Sequence, residues 1–264
     1  MQIFDVTSMR IFVALLRRSF FILIPQLKNT LIDGIFLTST YVLLFGYLYP
    51  EMGMEKTLIG PVFVGSLLTL LSSLSFSLAV RVVLDLKYHR FIDYLFTLPI
   101  AKGWLFASYV ASFFVELFMA VSPLLIFGLT LLHKKIAVDV QWCPFALIFS
   151  GSLLFYSILF LAVSILYDYD WFFDNIWPRR LSPLLIASCA LFPWYRVNAF
   201  SSLLGSLFLL NPITYVAEGL RGSLFEASTS LSPFLCIIML CFYNMLAVGL
   251  LMYSINKTFK TVSL

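Results

Sequence analysis

Charged side chains are scarce in this chain, 17 Lys and Arg with 13 Asp and Glu among 264 residues. Each one inside an apolar run is therefore a candidate for chemistry. Glu116 stands near the middle of the run 103–132, where an ionisable group is expensive and marks a functional site by default. Two uses fit it: a carboxylate in a transport path, or a protonated, hydrogen-bonded packing residue. Asp33 lies near the start of the run 29–49, beside Asn29 and Thr30, where a carboxylate suits the first turn of a helix. Arg179 and Arg180 fall inside the run 171–192, so they must face a cavity or snorkel toward water. Phe36, Tyr41, Phe45 and Tyr49 give the first run an aromatic character. That character suits lipid contact in a chain with 28 Phe.

Most other chemistries lack their residues. Gly60 and Gly65 have the spacing of a phosphate-binding loop, but Ser66 follows where a Lys is required, and the segment sits inside an apolar run. The two histidines, His89 and His133, fall on opposite sides of the membrane in the topology below, so they make no joint metal site. Cys143, Cys189, Cys236 and Cys241 form no Cys-x-x-Cys pair and read as small packed residues. No Gly-x-Ser-x-Gly elbow or close cluster of carboxylates is present. The expectation is a chain with no catalytic residues, no metal and no cofactor of its own: a non-enzyme. The net charge of +4 is not gathered into a basic stripe, which argues against nucleic acid as a partner.

The elements that must position these residues follow from composition. Hydrophobic residues make up 61% of the chain and charged ones only 11%, against about 45–50% and about 25% in soluble domains. With a mean hydropathy of +0.99, the expected class is an all-α integral membrane protein in one membrane domain, 1–264. A hydrocarbon core about 30 Å thick needs about 20 apolar residues of helix. Six transmembrane helices are expected, at about 29–49, 57–83, 103–132, 143–167, 171–192 and 229–255. The first 28 residues place Arg10 and Arg17 on one face among Ile11, Phe12, Leu15, Leu16 and Phe20. They predict an N-terminal amphipathic helix lying in the interface, bent into the first span at Pro25. With both termini cytosolic, twelve Lys and Arg lie inside and five outside, as the positive-inside rule requires. The segment 196–226 is uncharged over much of its length but broken by Ser, Gly and Pro. It reads as an outer re-entrant helical hairpin, tolerable only where protein buries its backbone breaks.

Two connecting segments carry more information. The cytosolic loop 85–100 reads as a short amphipathic helix that ends at Pro99, with Tyr88, Ile92 and Leu95 at i, i+4 and i+7. Such a helix either lies on lipid or inserts into the groove of a soluble partner. In the second segment, Asn211 and Pro212 make an N-cap and first helical residue, Glu218 and Arg221 stand three apart, and Gly222 is a plausible stop.

Together these segments resemble the permease subunit of an ABC-2 type (type V fold) transporter, of the bacterial polysaccharide, lipid or drug exporter kind. The similarity rests on Arg90, Asp93-Tyr94-Leu95 and Thr97-Leu98-Pro99-Ile100 after the second span. It rests also on Phe192-Pro193 at the outer end of the fifth span, and on Asn211-Pro212-x-Thr214-Tyr215 followed by Glu218 and Arg221. One departure is Ser188-Cys189-Ala190-Leu191 before Phe192-Pro193, where the family often carries Ser-Gly. The resemblance implies that 85–100 is a coupling helix, in which Tyr88, Arg90, Phe91, Ile92, Asp93, Leu95 and Pro99 meet a separate cytosolic ATPase. Two ATPase copies, with ATP and Mg²⁺ bound to them, would serve two copies of this chain or this chain with a sister permease, in the bacterial cytoplasmic (inner) membrane. Phe36, Tyr41, Phe45, Glu116, Arg179 and Arg180 become candidates for the substrate path. Phe192, Pro193, Asn211, Pro212, Tyr215, Glu218 and Arg221 become the outer gate. The alternative from the residues alone is a stand-alone six-span carrier or membrane assembly factor that uses Glu116.

Overall fold

A computed structural model describes residues 6–53, 59–89, 91–95, 102–132, 140–225 and 230–259. These residues are all-helical, with no strand among them. Long apolar runs have no solvent to take up free N–H and C=O groups, so the backbone must pair within each segment. Among the described residues, five helices are long and apolar enough to cross a membrane: Leu27–Glu51, Ile59–Tyr88, Lys102–Leu132, Trp142–Leu166 and Pro233–Thr258. The chain is a multi-pass membrane protein.

Helix α1 (Val6–Tyr41) runs on through a π-helical turn, Val42–Leu48, into the short α2 (Tyr49–Glu51). Pro25 lies inside α1 and does not end it. The interfacial segment and the first span expected from sequence are thus one continuous helix, whose apolar part starts at Leu27. Next come α3 (Ile59–Leu84), α4 (Phe91–Leu95), α5 (Lys102–Leu132) and α6 (Trp142–Leu166). The run taken as a fifth span differs from the other five. It begins with α7 (Tyr169–Ile176), passes through a π-helical turn, Trp177–Leu181, and ends with α8 (Ser182–Ile186). Asp170, Asp174, Arg179 and Arg180 keep this stretch out of the set of long apolar helices. After a turn come α9 (Trp194–Phe200), α10 (Ser202–Phe208), α11 (Pro212–Leu224) and α12 (Pro233–Phe259). Helices α10 and α11 meet at 96°, so the broken segment expected near 196–226 is a sharp helical corner.

Helices α3 and α6 form the centre, with α1 and α5 on one side and α11 and α12 on the other. Small residues and a few polar side chains hold the helices together, as expected where lipid removes the hydrophobic drive between them. Ser72 of α3 donates to the Tyr156 hydroxyl of α6 at 3.0 Å, fully buried. The Asn244 amide of α12 reaches the Gly151 carbonyl of α6 at 3.2 Å, and Thr258 reaches the Ile165 carbonyl at 3.1 Å. Between α5 and α3, a Cβ added at Gly128 would lie 2.2 Å from the Phe63 ring.

Because Phe63 is itself buried, its ring has little room to yield. Gly128→Ala should lower stability by about 1–3 kcal/mol through overpacking, read as a lower unfolding temperature in detergent. Combining it with Phe63→Leu should restore part of the loss.

Candidate functional site

Three helices each turn one stripe of small or polar residues toward a shared space. On α1 the stripe includes Thr30, Asp33 and Leu37 at helical spacing; on α3 it is Ser73, Ser77 and Arg81, four apart; on α5 it is Glu116 and Ala120. The serines and the alanine leave volume that leucines would fill, and the result is a cavity of about 520 Å³. Arg81 donates a charge-assisted hydrogen bond to Glu116 across it. Both side chains keep part of their surface open, 36% for Arg81 and 21% for Glu116, so the pair faces the cavity instead of being sealed in the core. Ser77 satisfies its own hydroxyl on the Ser73 carbonyl at 3.1 Å. The Asp33 carboxylate makes no hydrogen bond or ion pair among the described residues.

Sequence reasoning singled out Glu116 but gave it no partner, and took Asp33 for a helix-start residue. Arg81, inside the expected span 57–83, is not among the candidates read from the sequence. The signal available was the four-residue spacing of Ser73, Ser77 and Arg81, a polar stripe through an apolar helix. The other path candidates lie elsewhere. Phe36 is 71% exposed on the outside of α1, Tyr41 is absent from the cavity lining, and the Phe45 side chain is outside the described residues. Arg179 donates to Asn175 Oδ1 at 2.7 Å. The Arg180 guanidinium sits 5.0 Å from the Trp171 ring centre, beside the stacked Tyr167–Trp171 pair. The two arginines therefore belong to the 167–181 stretch and do not meet Glu116.

A second polar centre is sealed. Glu218 and Arg221 of α11 are an ion pair with side chains 0% and 3% exposed. Glu218 also accepts from the Trp194 N–H at 2.8 Å and the Leu231 N–H at 3.2 Å. Arg221 donates to the Cys189 and Ala190 carbonyls at 2.9 and 3.1 Å. These four backbone groups lie in the turn after α8 and in the segment before α12, where no helix can pair them. Cys189 has φ 54°, a left-handed conformation that favours glycine, at the position where the sequence departs from Ser-Gly. Asn211 caps α11, accepting from the Ile213 N–H at 3.0 Å, and its amide donates to the Leu184 carbonyl at 2.6 Å. Phe192 packs near Phe208, ring centres 6.4 Å apart. Tyr215 is buried against Tyr243, with ring centres 6.0 Å apart. Pro193 and Pro212 stand immediately before α9 and at the first position of α11.

At the other end of α3, Asp85 accepts from the Ile92 N–H at 3.0 Å and so starts the five-residue α4. The amphipathic face expected here is divided. Ile92 and Leu95 are 1% and 3% exposed, packed within this chain, whereas Tyr88 and Tyr94 are 60% and 58% exposed. Among the described side chains of this segment, Tyr88 and Tyr94 are the exposed aromatics, and Ile92 and Leu95 serve the fold. Arg90 and Pro99 lie outside the described residues, as do the side chains of Phe91 and Asp93. Lys87 ties the segment to α7: its ammonium is 3.2 Å from Asp170 and 4.0 Å from the centre of the Tyr169 ring.

The two ion pairs should answer mutation differently. Arg81→Met should cost about 1–3 kcal/mol, less than the about 3–5 kcal/mol for breaking a sealed pair, because Arg81 is partly exposed. Adding Glu116→Leu should recover most of that. Arg221→Met should cost about 3–5 kcal/mol, and adding Glu218→Leu should recover nothing, because four backbone groups stay unpaired. Thermal unfolding of the four variants in one detergent checks both. Comparison with protein-family models, with curated proteins and with solved structures finds no match to this chain, so function rests on the residues and their geometry.

Proposed function

We propose that this chain is the membrane-spanning permease subunit of an ATP-driven ABC exporter, carrying an amphiphilic substrate across the bilayer. The observation that supports it best is the convergence of the motif segments. Phe192-Pro193 and Asn211 to Arg221 are separate in sequence, yet α11 and the 189–194 turn are joined through Glu218 and Arg221. A bent helical pair fixed in this way is what a re-entrant outer hairpin requires. The cavity among α1, α3 and α5 adds a place for a polar group at membrane depth, walled by leucines.

In this function the stretch 169–186 with its following turn completes a sixth crossing, and both termini face the cytosol of a bacterial inner membrane. Two copies, or one copy with a sister permease, enclose the pathway. Each binds one ATPase, which holds ATP and Mg²⁺, through the 85–100 segment with Tyr88 and Tyr94 as its exposed anchors. This chain supplies path, selectivity and transmission and performs no catalysis.

The test is purification of the tagged full chain from native membranes in mild detergent, with mass spectrometry of what accompanies it. An ABC ATPase should appear in roughly equal amount and be lost from the Tyr88→Ala/Tyr94→Ala double variant, whose buried core is untouched. A chain recovered alone, as monomer or dimer, overturns the exporter and favours a stand-alone carrier in which Glu116 is the group to mutate.

A further inference from the structure

We infer that the cavity between α1, α3 and α5 is a binding site for the cationic head of an amphiphile, an ammonium or similar organic cation, and that Asp33 is its counter-ion. The inference names the substrate class for the proposed export function and, as a substrate assignment, rests on it. Three charged groups line the space: Asp33 from α1, Arg81 from α3 and Glu116 from α5. Arg81 and Glu116 neutralise each other through their hydrogen bond. Asp33 has no partner among the described residues, so the formal charge of the lining is −1.

Position sharpens the point. Asp33 is six residues into the apolar part of α1, which begins at Leu27, or about 9 Å along the helix at about 1.5 Å per residue. The Asp33 side chain is exposed and so open to a ligand, and a carboxylate in an apolar stretch is costly unless a positive group compensates it. Leu37, Leu70 and Leu74 line the same cavity and offer an apolar wall to a hydrocarbon or aromatic body. At about 520 Å³ the space falls within the about 300–1,000 Å³ of small-molecule sites. An anionic head, such as the phosphate of a lipid-linked glycan, would meet two carboxylates, and the one guanidinium is already held by Glu116. The lining therefore selects cations over anions.

Two ions of one shape and opposite charge test this on the isolated chain. The full-length protein is placed in nanodiscs of zwitterionic phosphatidylcholine, and uptake of tetraphenylphosphonium and tetraphenylborate is measured by equilibrium dialysis against empty discs. Tetraphenylphosphonium should bind saturably, weakened about tenfold or more in Asp33→Asn and changed by less than about threefold in Asp33→Glu, which keeps the charge. Tetraphenylborate should show lipid partition only. Matching elution profiles establish that both variants fold, and the charge-keeping variant carries the comparison if Asp33→Asn does not. Uptake equal to that of empty discs, indifference to Asp33→Asn, loss of binding in a folded Asp33→Glu, or saturable tetraphenylborate binding overturns the site. A chain that brings down its ATPase but binds no cation loses this inference alone. One that binds the cation without an ATPase keeps the site and loses the exporter assignment.

Discussion

The Glu218–Arg221 pair is the interaction on which the rest of the structure depends. Regular helices satisfy their own backbones in lipid, but the turn after α8 and the approach to α12 cannot. One carboxylate takes two stray N–H groups and one guanidinium takes two stray carbonyls, and each also neutralises the other's charge. Removing α11 from this position would leave those four backbone groups buried without partners. The corner between α10 and α11, the placement of α9 and the entry to α12 all follow from keeping that helix where it is.

The Arg81–Glu116 pair stands in contrast. It joins two helices whose backbones are already satisfied, and it borders open space. A buried ion pair is weak evidence for stability, since well-packed apolar residues often do as well. It stands beside two serines and the Asp33 carboxylate, on the wall of the cavity and not in the packed core. The molecule thus has one polar centre that closes the structure and one that keeps part of it open.

Much of this was legible in the sequence. Composition gives the membrane class, and long apolar runs give the five long helices to within a few residues, because lipid leaves the backbone little choice. The N-cap at Asn211 and the sharp break before it were also readable from Asn-Pro chemistry. Other features depend on which helix faces which. Glu218 and Arg221, three apart, look in sequence like an ordinary surface pair, and their burial follows only from the turn packed over them. Arg81 and Glu116 are 35 residues apart, and no local pattern joins them. Ile92 and Leu95 show correct amphipathic spacing, yet spacing cannot say whether the apolar face meets a partner or the chain's own core. Pro25 misleads in the opposite direction, since a proline in a long apolar helix removes one hydrogen bond without ending the helix.

Helix α3 carries contacts along its whole length. Near one end, Gly65 lies so close to the Ala190 carbonyl that a Cβ would stand 2.6 Å from it. Midway, Phe76 stacks on Phe172 at 5.3 Å and leans on Trp177 at 5.4 Å. Arg81 reaches across the cavity, and beyond the end of the helix Lys87 grips Asp170. A close-packed rod does not absorb displacement along its axis. A shift of α3 by a fraction of a turn would press on the turn that Arg221 holds, slide the aromatic seam against α7 and change the width of the charged cavity together. The turn, the aromatic seam and the charged cavity are thus all built on one helix.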